Sequence, residues 1–123
     1  MIWLMGAMGG AAGSVMRYGA QRAAVNFAGQ ETVLGTLAVN LTGSFALGFL
    51  ATLLVGKFSM STQMQNFLTV GVLGGFTTFS ALSYQTIYLI EKGMIWPALI
   101  SLLANVVMGL AVAFLGVGMA KTL

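Results

Sequence analysis

The segment GVLGGFTTFS, residues 71–80, decides the fold, because it interrupts a long apolar stretch near its middle. Paired glycines followed by paired threonines disfavour a continuous helix. The segment therefore predicts a helix break inside an apolar span, and unpaired backbone there is tolerated only where it is buried or lines a cavity. Freed carbonyl groups could bind a cation, whereas freed N–H groups and helix N-termini favour an anion. The alternative is a flexible packing point.

Apolar stretches extend outward from this segment over the chain, at approximately 2–23, 33–55, 62–90 and 95–119. Each has the roughly 20 residues that a helix needs to cross a bilayer. The 123 residues are 59% hydrophobic and only 6% charged, whereas a soluble domain carries about a quarter charged residues. We therefore predict a single all-α integral membrane domain over residues 1–123, with four transmembrane helices and a broken third helix.

The residue types present exclude most enzymes. The chain has no cysteine and no histidine, and its only acids are Glu31 and Glu91. A Ser-His-Asp triad, thiol chemistry and a His/carboxylate metal site cannot be built from this set. The net charge of +3 comes from scattered basic residues, which indicates helix-end charges rather than a nucleic-acid patch. We predict a protein that is not an enzyme and does not bind nucleic acid.

The basic residues are balanced between the two sides of the predicted bundle. Four spans put Lys57 and Lys121 on one side and Arg22 and Lys92 on the other. Orientation in the membrane follows the Lys/Arg bias, so a chain with almost no bias could insert both ways. We therefore predict an antiparallel, dual-topology dimer. Any polar pathway should form where subunits meet, since four short helices leave little room inside one subunit.

Polar side chains recur every four residues on two predicted helices. Thr36, Asn40 and Ser44 share one face of the second helix, and Ser101 and Asn105 share one face of the fourth. Such stripes either hold helices together or form a track of N–H and O–H donors. A neutral donor lining suits a small, strongly hydrated anion and also lets that ion leave.

The first predicted helix carries a charge and closely spaced glycines. Arg17 lies in or at the end of this span, where a cation costs about 2.5–3.5 kcal/mol. It either reaches the lipid headgroups or faces a water-filled vestibule and attracts anions. Gly9 and Gly13, like Gly71 and Gly75, have the spacing that lets helices approach closely. Plain packing also explains each pair.

Three segments resemble the signatures of the Fluc (CrcB) fluoride channels: Gly9–Tyr18, Gly35–Gly43 and Gly74–Ser80. The resemblance covers the chain in length and in the order of its spans. It implies four-helix subunits that pair antiparallel, with two fluoride pores and a central structural sodium ion. It also implies that the main-chain carbonyls of Gly74 and Thr77, from both subunits, bind this sodium.

The same resemblance implies a set of pore residues. Arg17 would lie by the aqueous vestibule. The pore would be lined by Asn40, Phe79, Ser80, Ser83, Ser101 and Asn105. The chain departs from the family pattern after Ser80, because Ala81 and Leu82 stand where the family usually has threonine and phenylalanine. In addition, Gln85 stands where a glutamate is common.

We expect from this resemblance a passive fluoride channel that exports fluoride from a microbial cytoplasm through the inner (plasma) membrane. Its partners would be fluoride, the lipid bilayer, and a second copy of itself or a complementary paralogue. A small multidrug exporter is the alternative of another class, but it needs an acid within the membrane, and Glu31 and Glu91 lie at span ends. A noncatalytic accessory subunit is the third possibility.

Overall fold

The structure, a computed structural model, describes residues 1–30 and 32–123, so Glu31 lies outside the described residues. In the described part every regular element is helical, as the sequence predicts. In chain order the elements are α1 (Ile2–Ala28), α2 (Leu34–Gly56), α3 (Thr62–Asn66), a first π-helical segment (Phe67–Leu73), α4 (Gly74–Phe76), α5 (Phe79–Glu91), α6 (Ile95–Leu103), a second π-helical segment (Ala104–Met108) and α7 (Gly109–Thr122).

Three helical stretches are long and apolar enough to cross a membrane, namely Leu34–Gly56, Thr62–Glu91 and Ile95–Thr122. Counting α1 as the first and Leu34–Gly56 as the second, we call Thr62–Glu91 the third stretch and Ile95–Thr122 the fourth stretch. Their bounds agree closely with three of the predicted spans. The span predicted at 2–23 does not reach the same hydropathy, although α1 has 27 residues. The reason is its composition, since α1 contains two arginines and many glycines and alanines.

The first helix also ends later than the sequence predicts. The N–H of Gly29 donates to the carbonyl of Val25 at 2.8 Å, so the helix continues through Asn26 to Ala28. Gly29 has φ +93°, a left-handed backbone that favours glycine and ends the helix. Gly93 has φ +76° and lies in the short connection between α5 and α6.

Glycines bring α1 into close contact with the third stretch. A methyl group added at Gly9 or Gly13 would clash with backbone atoms, at Gly13 with the carbonyl oxygen of Val72. From the other side, a methyl group added at Gly75 would lie 2.7 Å from the carbonyl oxygen of Gly10. These glycines therefore act as packing positions that let two helix backbones touch.

A second glycine contact joins α2 to α7. A methyl group added at Gly48 would lie 2.5 Å from the carbonyl oxygen of Ala113, and Gly116 packs equally close to the backbone of α2. Asn40 meets Asn105 farther towards the N-terminus of both helices. Since residue numbers increase together along the contact, α2 and the fourth stretch run in the same direction.

Much of the apolar surface of the single chain stays uncovered. The buried core is limited to residues such as Val39, Leu54 and Leu89, while Leu110 is 70% exposed and Phe114 is 78% exposed. An apolar surface of this extent requires lipid or another protein as its environment.

Candidate functional site

Two extended residues separate α4 from α5. Thr77 has φ −80° and ψ 160°, and Thr78 has φ −152° and ψ 120°. The Thr77 hydroxyl donates to the carbonyl of Leu73 at 3.0 Å, and the same oxygen accepts the backbone N–H of Thr77 at 3.1 Å. The Thr78 hydroxyl accepts from the N–H of Ala81 at 3.2 Å and caps the N-terminus of α5. The two threonines thus complete the two helix ends.

The interruption leaves several carbonyl oxygens at the end of α4 without their helical hydrogen bonds, and those of Gly74 and Thr77 are two of them. The N–H of Thr78, which would close a turn on Gly74, donates instead to Oδ1 of Asn40 at 2.8 Å. The N–H of Ala81, which would close a turn on Thr77, donates to the Thr78 hydroxyl. The carbonyls of Gly74 and Thr77 therefore lack their usual helical donors. They are the two carbonyls for which the resemblance implies sodium binding.

Arg17 lies against this interruption. Its side chain is half-buried, and Nη1 donates to the carbonyl oxygen of Thr77 at 3.2 Å. The guanidinium therefore sits beside the interruption instead of at the end of α1. Because arginine is always charged in proteins, the contact places a positive charge next to the polar residues of the site.

Asn40 of α2 makes three hydrogen bonds, two of them to the interruption. Its Oδ1 accepts from Thr78 N–H, and its Nδ2 donates to the Thr78 carbonyl at 3.0 Å. The same Nδ2 donates to Oδ1 of Asn105 at 2.8 Å. An amide nitrogen carries two N–H donors, so both donors of Asn40 are engaged. The sequence predicts that Asn40 offers donors to an ion, whereas in this conformation it binds the backbone and a second amide.

Asn105 and its neighbours retain donors. Nδ2 of Asn105 donates to the carbonyl of Ser101 at 2.9 Å, which uses one of its two N–H groups. The hydroxyls of Ser101 and Thr36 are buried and make no hydrogen bond in the described structure. Thr36 lies one helical turn before Asn40, and Ser101 lies one turn before Asn105, on helices that run in the same direction. Unpaired donors thus continue the polar contact along both helices.

A cavity of about 240 Å³ opens beside this cluster. It is lined by Asn40, Ser44, Thr77, Thr78, Phe79, Leu82, Asn105 and Val106. The structure therefore brings three predicted pore residues, Asn40, Phe79 and Asn105, together around one cavity. The ring of Phe79 is 75% exposed, whereas Leu82 is only 3% exposed.

The other predicted residues lie near the cavity without lining it. Ser80 is exposed and its hydroxyl lies 3.5 Å from that of Thr78. The Ser83 hydroxyl donates to the carbonyl of Phe79 at 3.0 Å. Ser101 contacts the cavity residue Asn105, and Arg17 contacts the cavity residue Thr77. Gly74 is exposed on α4.

Sequence reasoning assigned no structural role to two residues, Thr78 and Gln85. Thr78 both caps α5 and binds Asn40, and the preference for threonine at an N-cap after a predicted break could have indicated this role. Gln85 has a buried Oε1 without a hydrogen-bond partner, beside a second cavity of about 310 Å³.

Among the described residues, no group of three or more acids, histidines or cysteines could hold a metal ion. A cation in this region would therefore depend on carbonyl, amide or hydroxyl oxygens.

The fold and the site define a small, multi-pass helical membrane protein with neutral polar groups gathered at a helix interruption. Comparison with known proteins gives the family. The sequence model of one protein family matches residues 4–117. The family is described as CrcB-like protein, Camphor Resistance (CrcB). The chain belongs to this family, as the sequence predicts.

Curated relatives support the same assignment. The fluoride-specific ion channel FluC of Agrobacterium fabrum is 41% identical over 117 residues, which cover 95% of this chain and 94% of the relative. The fluoride-specific ion channel FluC of Rhizobium meliloti is 43% identical over 122 residues, 99% of this chain and 97% of the relative. That of Dehalococcoides mccartyi is 42% identical over 113 residues, 92% and 87% of the two chains. The family consists of ion channels, which confirms the prediction that the protein is not an enzyme.

Proposed function

We propose that this chain forms a passive, fluoride-selective channel. The observation that carries the proposal is the cluster of Asn40, Thr78 and Asn105, where amide groups meet an interrupted helix between apolar helices. A small, strongly hydrated anion leaves water only where N–H and O–H groups replace that water. The names of relatives that are 41% and 43% identical over nearly the whole chain point to fluoride as this anion.

The proposed path uses the donors that the structure leaves available. They are the second N–H of Asn105 and the unpaired hydroxyls of Ser101 and Thr36. The exposed ring of Phe79 can present its electropositive edge to an anion. Asn40 then acts chiefly by holding the Thr78 backbone and orienting Asn105, and an ion gains its N–H groups only by replacing one of these partners.

Ser80, Ser83 and Arg17 complete the proposed pathway. Arg17 supplies positive potential beside the interruption and draws anions towards it. Glu91 is the last residue of α5, so it does not provide a carboxylate within the span for coupling to protons. Fluoride would therefore flow down its own gradient, out of a microbial cytoplasm through the inner membrane.

The functional unit that we propose is an antiparallel dimer in which α1 also spans the membrane. Three features of the single chain support it. Phe79 and Gly74 are exposed at the interruption, large apolar side chains lie uncovered, and the basic residues at the two ends of the bundle are balanced. Ala81 and Leu82 leave the identity of the second subunit open between a copy of this chain and a complementary paralogue.

We also propose a structural sodium ion at the centre of this dimer. The carbonyls of Gly74 and Thr77 fit such an ion, since both have lost their helical donors and sodium prefers oxygen ligands from unwound backbone. Each chain would contribute these two carbonyls, and Thr77 and Thr78 would hold them in place through their bonds to Leu73 and Ala81. When bound, the ion would supply positive charge that fixes the carbonyl dipoles of both interruptions.

Fluoride efflux from liposomes that contain only this chain tests the proposed function. A fluoride electrode would record rapid efflux once a potassium ionophore removes the opposing voltage. Protein-free liposomes and chloride-loaded liposomes, the latter followed with a chloride electrode, would be the controls. The proposal predicts fluoride efflux far above both controls. Chloride efflux at a similar rate would contradict fluoride selectivity, and fluoride release at the protein-free rate would contradict conduction by this chain alone.

A further inference from the structure

Arg17 touches a carbonyl oxygen that we assign to sodium binding. We infer that Arg17 lowers the affinity of the interruption for sodium, because its guanidinium and the cation share the carbonyl oxygen of Thr77. The inference rests on the sodium site proposed above. It gives Arg17 a second effect, on the cation, beside its attraction of anions.

The geometry of the contact permits sharing but opposes it electrostatically. Nη1 of Arg17 lies 3.2 Å from the Thr77 oxygen, which has lost its helical donor to the Thr78 cap. A carbonyl oxygen has two lone pairs, so it can accept this N–H and still face a cation. A cation on the same oxygen would lie roughly 5 Å from the guanidinium nitrogen, a distance at which like charges repel strongly.

No described carboxylate compensates this repulsion. Glu91 is the last residue of α5, and it follows Thr77 by about 20 Å of helix at 1.5 Å per residue. Two unit charges roughly 5 Å apart in a protein interior would change a binding constant more than a hundredfold. Arg17 is only half-buried, and water screens most of this repulsion, so we expect the two Arg17 side chains of the dimer together to change sodium affinity about tenfold.

The competition also works in the reverse direction. If Arg17 weakens sodium binding, then sodium binding must weaken the bond between Arg17 and Thr77 to the same extent. The guanidinium that leaves the carbonyl becomes available to an anion. Arg17 thus links occupancy of the cation site to the positive charge that an anion meets.

The test measures sodium binding to the purified, detergent-solubilised protein by its thermal unfolding midpoint. Sodium is titrated against N-methyl-D-glucamine, and the half-saturating concentration is compared among variants. Arg17→Gln removes the charge and keeps a donor, and its half-saturating concentration should fall about tenfold. Arg17→Lys, which keeps the charge, should stay near the parent. Arg22→Gln, at an exposed position on α1, removes a charge elsewhere and should also match the parent.

A chemical variant covers the case in which Arg17→Gln does not fold. The chain has no native cysteine, so Arg17→Cys can be modified selectively. Aminoethyl methanethiosulfonate gives a positively charged adduct, and methyl methanethiosulfonate gives a neutral one. The positively charged adduct should need about ten times more sodium than the neutral adduct. Equal sodium dependence of the two adducts, or of Arg17→Gln and the parent, overturns the inference. A parent protein whose unfolding ignores sodium overturns the sodium site itself, and the inference with it.

Discussion

Replacing Asn40 by aspartate should nearly abolish fluoride flux. The substitution keeps an oxygen that accepts from Thr78 N–H, but it removes both N–H donors. The Thr78 carbonyl and Oδ1 of Asn105 would then face a charged acceptor instead of a donor. Asn105 can rotate its amide so that Nδ2 donates to the new carboxylate oxygen, but it then loses its own hydrogen bond to the Ser101 carbonyl.

The magnitude follows from the bonds that are lost. A buried polar group left without its partner costs about 1–3 kcal/mol. Two such losses amount to about 2–6 kcal/mol. The equilibrium between the intact and the disrupted arrangement of the site therefore shifts at least about thirtyfold towards the disrupted one. The negative charge also repels the anion, so we expect flux to fall by at least a hundredfold.

Fluoride efflux from liposomes measures this effect, with chemical crosslinking to show that the variant still assembles like the parent. Asn26→Asp makes the same chemical change at an exposed position near the end of α1 and should conduct normally. Asn40→Ser keeps one donor and should retain partial flux. If Asn40→Asp conducts fluoride like the parent, the cluster of Asn40, Thr78 and Asn105 does not control permeation, and its bonds serve packing alone.

Three further outcomes test other parts of the account. Gly13→Ala should lower the thermal unfolding midpoint because the new methyl group clashes with the third stretch, whereas Gly19→Ala, where no atom lies within 4 Å, should not; equal midpoints would refute the close helix contact. Phe79→Leu should reduce fluoride flux about tenfold because it removes an exposed ring edge that faces the cavity; undiminished flux would remove the ring from the pathway. An impermeant thiol reagent should label about half of the molecules in both Ser59→Cys and Met94→Cys cells, since both substitutions keep the basic residues and dual topology exposes each loop on both sides; full labelling of one with full protection of the other would exclude an antiparallel dimer.

Hydropathy predicted the positions of those helices that are long, strongly apolar runs. The predicted spans 33–55, 62–90 and 95–119 match the observed stretches within a few residues, because each is a long apolar run bounded by polar residues. The first helix was harder to predict. Its end at Ala28 depends on Gly29, and its lower hydropathy reflects a surface adapted to close helix contact as well as to lipid.

The structure brings the predicted residues Asn40 and Asn105 to one cavity, but the sequence did not predict the hydrogen bond between them. Periodicity placed Asn40 and Asn105 on polar faces, yet it could not show that Asn40 uses both donors on partners 38 and 65 residues away. Such contacts depend on how helices α2 and α5 and the second π-helical segment pack together. For the same reason the sequence indicated a charge at Arg17 but not its contact with Thr77.

The central claim, passive and selective fluoride conduction by this chain alone, is tested most directly by currents across a planar bilayer that contains the purified protein. A fluoride gradient would be imposed with chloride present at equal concentration on both sides. The account predicts a current that reverses at the fluoride equilibrium potential and does not change with the pH gradient. Reversal near zero voltage, a reversal potential that follows the proton gradient, or no current at all would contradict it.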